Sequence, residues 1–171
     1  MNEVSEVKSL AGTTDSVLTQ AIEYCAQKVR IDNSQVVIDR LREGDGQVCE
    51  YCNYSLAKQV AASLGALDEN VTAAYLYDYD APTEGFGYEE MGRALPIHLI
   101  VWAKRKTAAL NAVVETWDRA LTQRYAEVIG GHQPAHLLDV QVVDSVDVAK
   151  RIGYGAMLSS LHHPPTEVWK R

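Results

Sequence analysis

What the 171 residues lack narrows the possibilities first. No apolar run approaches the roughly 18 residues that a membrane-spanning helix needs, so neither a span nor a membrane partner is expected. Cysteine is scarce and odd in number. Three thiols, Cys25, Cys49 and Cys52, do not build a disulfide framework, which fits a reducing, cytoplasmic setting. The N-terminus carries Glu3, Glu6 and Lys8 and lacks the basic and apolar regions of a secretory leader. Basic charge is in deficit, 16 Lys and Arg against 23 Asp and Glu, for a net charge of -7. Phosphate backbones are held by clustered cations, so a nucleic-acid module is not expected. The one basic cluster, Lys104-Arg105-Lys106, reads as a solvated helix face, with local phosphate contact as the alternative. A Gly-x-Ser-x-Gly elbow, a Walker loop and a dinucleotide fingerprint are absent, and Gly85-x-Gly87 opens no helix.

What remains is a globular composition, 47% hydrophobic and 23% charged, on a chain one domain long. Residues 1–12 hold no sustained apolar stripe and are expected as a flexible tail, leaving 13–171 as a single domain. Thr13, Thr14 and Asp15 offer capping oxygens ahead of Leu18, Ala21, Ile22, Cys25 and Val29, spaced three or four apart. A second helix with Val37, Ile38 and Leu41 follows Asp32-Asn33-Ser34. A third carries Cys49, Cys52, Leu56, Val60 and Leu64 up to Gly65. Residues 13–66 are thus a helical part.

The pattern changes at residue 70. Val71 to Tyr77 is rich in β-branched and aromatic residues and predicts a strand. Pro82, Gly85, Gly87 and Gly92 make 78–95 a long connection, and the apolar run from Pro96 to Ala103 predicts a central strand buried on both faces. Lys104 to Ile129 is the clearest helix, with Leu110, Val113, Val114, Trp117, Leu121, Tyr125 and Val128 in one stripe, and Leu137 to Val143 is a third strand. A strand, a long helix and a strand in succession place the last two strands parallel. Asp144 to Ile152 predicts a short helix, and Gly153 to Leu158 is apolar enough to pack back on the sheet. His162-His163-Pro164-Pro165 predicts an exposed tail. The fold class is α+β: N-terminal helices, then a small mixed sheet built as strand, loop, strand, helix, strand within 70–171.

Asp78 and Asp80 stand two apart at a strand end, a spacing that turns both carboxylates to one side. Such pairs hold Mg²⁺ together with phosphate oxygens, and Asp139 in the third strand is placed to join them. The alternative is a plain turn, which Asp favours. Tyr77, Tyr79, His98 and Lys104 are candidate nucleotide or partner contacts, with Tyr75, Phe86 and Tyr88 completing an aromatic cluster suited to stacking or to burying a partner. Cys49-x2-Cys52 and His132-x3-His136 have the spacing of two zinc half-sites, but both cysteines fall on an apolar helix stripe and read as core residues. His162 and His163 have acid–base chemistry, yet their proline neighbours place them in the exposed tail.

The run Val71 to Tyr77, the Gly-containing loop and Leu95-Pro96-Ile97-His98-Leu99-Ile100-Val101 together resemble the minimal nucleotidyltransferase family. In that family a strand ends in Gly-Ser, a Gly-rich loop follows, and a second strand begins with Asp-x-Asp. A helix and a strand bearing a third Asp come next. The resemblance covers residues 70–143, and element order and apolar pattern carry it. Asp78-Tyr79 stands where Gly-Ser is expected, and Pro96-Ile97-His98 where Asp-x-Asp is expected. Asp139 alone matches the family's carboxylates. The resemblance implies a catalytically degenerate relative that acts by binding a nucleotide, a protein or a second copy of itself. Two alternatives stay open: an active Mg²⁺-dependent nucleotidyl or phosphoryl transferase using Asp78, Asp80 and Asp139, and a structural or interaction protein of unrelated α+β fold.

Overall fold

Short polar side chains set the helix boundaries. The computed structural model describes residues 3–77, 96–131 and 134–171, with side chains from Gly12 onward. Helix α1 (Glu3–Val29) leads to α2 (Ser34–Glu43), where Asn33 Oδ1 accepts from the Gln35 amide at 2.8 Å and Gly44, at φ 77°, closes the far end. Helix α3 (Gly46–Leu67) begins under Asp45, whose Oδ1 accepts from the Val48 N–H. Helix α4 (Ala108–Val128) begins under Thr107, whose Oγ1 accepts from the Leu110 N–H at 3.1 Å.

Two expected starts therefore move. The tail expected over 1–12 gives way to helix from Glu3, with no proline before Val29 to stop it, and Thr13 to Asp15 lie inside α1 rather than at its cap. Lys104 to Lys106 precede α4 instead of opening it, because Thr107 takes an extended backbone, φ -128°, to cap the helix.

Four strands form one mixed sheet in the order β3-β2-β1-β4: β1 (Val71–Leu76), β2 (Ile97–Ala103), β3 (Leu138–Asp144) and β4 (Thr166–Lys170). Strand β2 runs antiparallel to β1 and parallel to β3, as a crossover through α4 requires. The expected C-terminal tail is corrected in part. His162 and His163 are exposed, but Thr166 to Lys170 adds a fourth strand antiparallel to β1. Five mostly exposed residues behind two prolines show too little alternation to read as a strand, and an edge position tolerates both.

Alternation along the strands sorts the residues onto two faces. Ile97, Leu99, Val101 and Ala103 join the core formed by α1, α3 and α4, among them Leu18, Leu56, Leu64, Trp117 and Leu121. Ile100 and Val143 face the other way. There the short helices α5 (Ser145–Lys150) and α6 (Tyr154–Met157) fold back through Val148, Tyr154 and Met157, as the apolar stretch from Gly153 predicts.

The register gives the sheet two distinct ends. Tyr77, His98 and Leu138 lie at one; Val71, Ala103, Asp144 and Lys170 lie at the other. At the second end Trp169 packs against α3, where a Cβ on Gly65 would fall 2.2 Å from the indole ring. Arg171 fastens the same corner, its Nε donating to the Val71 carbonyl at 3.1 Å and its Nη2 to the carbonyls of Gly65 and Asp68. Gly65→Ala is therefore expected to destabilise the protein by about 1–3 kcal/mol, the usual cost of overpacking. Gly12→Ala, where nothing stands within 4 Å of the added methyl, is expected to stabilise α1 by up to about 1 kcal/mol. Urea unfolding reads both, and a Gly65→Ala variant as stable as the parent would rule out the Trp169 contact as the constraint on Gly65.

Candidate functional site

Parallel pairing brings His98 of β2 and Asp139 of β3 side by side, as register partners on the face turned away from the long helices. His98 Nδ1 lies 2.9 Å from Asp139 Oδ2. An ionised carboxylate only accepts, so the proton resides on Nδ1 and Nε2 points away from Asp139. Gln141, two residues on and hence on the same face, donates from Nε2 to Asp139 Oδ1 at 2.7 Å. Both carboxylate oxygens are thereby engaged. Buried Tyr77 closes one side: its N–H donates to the His98 carbonyl at 3.1 Å, and its ring centroid lies 5.4 Å from the imidazole and 5.6 Å from the Tyr154 ring. The pair itself is part-buried, with 29% of the His98 side chain and 34% of that of Asp139 exposed. A carboxylate-oriented imidazole beside aromatic rings can accept or donate a proton and can seat a planar ligand.

The structure brings together only some of the residues singled out in the sequence. Tyr77, His98 and Asp139 meet. Lys104 lies six residues along β2 from His98, about 20 Å away at strand spacing, so it belongs to the other end of the sheet. Asp78, Tyr79 and Asp80 lie outside the described residues. Among the described residues no group of three His, Cys, Asp or Glu side chains is arranged to hold a metal. Gln141 and Tyr154 were not singled out in the sequence, since neither belongs to a motif. The β3 register finds the first, and only the fold-back of α6 finds the second.

Of the zinc candidates, His132 lies outside the described residues, and the other three do not converge. Cys49 and Cys52 point into the core with Cys25, all three thiols buried, while His136 sits beyond α4. The Cys25 thiol donates to the Val48 carbonyl and is itself hydrogen-bonded by Cys52, which lowers it from its ordinary range, so that burial alone shields it. That bond holds Cys52 above its ordinary range, and burial then adds to the shift. Burial, with Asp45 nearby, pushes Cys49 up to about 11. At pH 8 no thiol of the folded protein is expected to react with an aromatic disulfide reagent, and all three should react in guanidinium. One fast thiol in the native protein would contradict the core placement.

A cleft of about 770 Å³ opens between α4 and β3, and Asp139 lies on its wall beside Pro96, Val140 and Asp118. Asp118 is the buried anchor of this region. Its Oδ1 accepts from the N–H groups of Leu137 and Leu138 at 3.0 and 2.9 Å, and its Oδ2 lies 2.6 Å from His136 Nδ1. Thr122 Oγ1 joins in, accepting from the Leu137 N–H and donating to Asp118. No family model matches the chain, and neither does any curated protein or solved structure. Asp118→Ala is expected to cost roughly 1–3 kcal/mol for each backbone N–H left without its acceptor. Asp118→Asn, which keeps one acceptor oxygen, should cost less. An alanine variant that melts with the parent would remove Asp118 as the anchor.

Proposed function

We propose that this chain is a nucleotidyltransferase-like domain that works by binding rather than by metal-dependent phosphoryl transfer. One observation carries the reading: Asp139, the carboxylate that matches the family's third acidic position, has both oxygens occupied by His98 and Gln141. His98 stands where the second Asp of Asp-x-Asp is expected, so an imidazole donor replaces a carboxylate ligand beside it. Mg²⁺ favours oxygen ligands, and an imidazole hydrogen-bonded to the remaining carboxylate works against its binding. The partly exposed His98 imidazole and Tyr154 ring, backed by buried Tyr77, supply a surface for a planar base or for an aromatic side chain of a protein partner.

Titration calorimetry with ATP, with and without Mg²⁺, tests this directly. Heat of binding independent of Mg²⁺ is expected, and His98→Asn should weaken binding by about tenfold, the loss of one hydrogen bond to a charged group. Mg²⁺-dependent release of pyrophosphate that disappears in Asp139→Asn would defeat the proposal in favour of a transferase using Asp78, Asp80 and Asp139. No heat with any nucleotide would shift the function to a protein partner or a second copy of the chain.

A further inference from the structure

The second end of the sheet gathers charge that the sequence scatters. Lys104, Arg105 and Lys106 leave β2 there, Lys170 closes β4 there, and Lys150 and Arg151 end the helix that starts where β3 stops. All six are exposed. Lys106 Nζ lies 2.6 Å from Asp147 Oδ2, which ties the β2 group to the α5 group. The strand ends from β4 to β3 span about 14 Å, since neighbouring strands lie about 4.8 Å apart. Five of the chain's 16 basic residues, Lys104, Arg105, Lys106, Lys170 and Arg171, thus border one end of a molecule whose net charge is -7, and Lys150 and Arg151 follow within one short helix of it. The described carboxylates that face this basic group are Asp68, Glu69, Asp144, Asp147 and Glu167, the last 3.9 Å from Lys170 Nζ. Asp147 is paired with Lys106, and Asp144 caps α5 through the N–H groups of Val146 and Asp147.

The same end also exposes aliphatic side chains. Leu67 at the end of α3 is 63% exposed, Val146 in α5 55%, and Ile152, whose N–H donates to the Asp147 carbonyl, 53%. They are three of the five large hydrophobic residues exposed among the described residues. A nucleic-acid backbone rewards cations and gains nothing from Leu, Val or Ile. An anionic bilayer rewards both, because the basic groups meet the headgroups while the aliphatic tips enter the boundary of the acyl region. We infer that this end of the sheet is a docking surface for an anionic lipid membrane, met from outside and without a spanning segment. The described helices agree with that limit, none being long and apolar enough to cross a membrane. The absence of a long apolar run speaks only against a span; a surface contact needs none.

Sedimentation with vesicles of phosphatidylserine and phosphatidylcholine, against vesicles of phosphatidylcholine alone, tests the surface on the full chain. Binding to the anionic vesicles only is expected, weakened by added salt. The double variant Lys104→Glu with Arg105→Glu should weaken it at least tenfold, since each basic residue near an anionic leaflet contributes roughly a fivefold factor. Val146→Ser with Ile152→Ser should also weaken it. All four positions are exposed, so melting temperatures close to the parent's are expected for both variants. Failure to bind anionic vesicles overturns the proposal, as does binding that the serine variant leaves unchanged. Anisotropy with a labelled single-stranded RNA gives the third outcome. RNA binding lost in the charge-reversal variant, with vesicles unbound, would reassign the surface to nucleic acid.

Discussion

The Asp118 carboxylate enters the core from α4 and fixes where β3 begins. It is 9% exposed, and it holds the N–H groups of Leu137 and Leu138, the last residue before the strand and its first. A buried carboxylate with three donors and a hydroxyl around it is stable only in that arrangement, because losing any partner strands a charge away from water. Helix and strand are therefore locked in register. From that register the ladder follows, with Ile97 beside Leu138, His98 beside Asp139 and Ala103 beside Asp144. A slip of one residue would send Asp139 to the helix face and Leu138 to the open one, exchanging an ion for a core side chain. The His98–Asp139 pair is thus a consequence of a hydrogen-bond cluster on the other side of the sheet.

The same carboxylate closes one end of an edge strand. Outward-pointing backbone groups on an edge invite pairing with another chain. Asp118 takes the Leu138 N–H at the start of β3, and Asp147 takes the Asp144 N–H at its end. Both devices are acidic residues on helices flanking the strand, and both act a second time. Asp118 also binds His136, and Asp147 also binds Lys106, which holds its carboxyl below the usual carboxylate range. Edge protection and site construction therefore share residues, so a substitution made to probe one disturbs the other.

Much of this was legible in the sequence, and the reasons for success and failure are physical. The apolar run of β2, the stripe of α4 and the parallel crossover follow from periodicity and chain connectivity. Even the His98–Asp139 contact was within reach, because each is the third residue of its expected strand, Pro96 to Ala103 and Leu137 to Val143, and parallel strands of equal start place equal positions side by side. What hid it was the expectation that Asp139 would face other carboxylates. Strand β4 was illegible because its stability comes from β1 and Gly65, which accommodates the Trp169 ring, and a short segment carries no trace of that partner. The start of α1 was illegible because Thr13 to Asp15 look like caps, and a cap signal does not show whether the helix already runs through it. Grouping Lys104 with His98 failed for a simpler reason: six residues are a short separation in sequence and about 20 Å in a strand.

That length also separates two kinds of chemistry. At the end holding His98 and Tyr77, the charge of Asp139 faces an imidazole and an amide, and the surroundings are aromatic. At the other end, basic side chains and exposed aliphatic ones stand together beyond the ladder. Ordinary salt screens exposed charges over about 8–10 Å, less than the length of β2. Each end therefore meets a ligand with its own local charge rather than with the net charge of the chain. The net charge of -7 describes the molecule from afar, but at contact distance the strand ends decide what approaches. An acidic total and a basic docking face are compatible for that reason. The two proposed sites lie at opposite ends of one sheet, so a planar ligand at one end would leave the other free for an anionic surface.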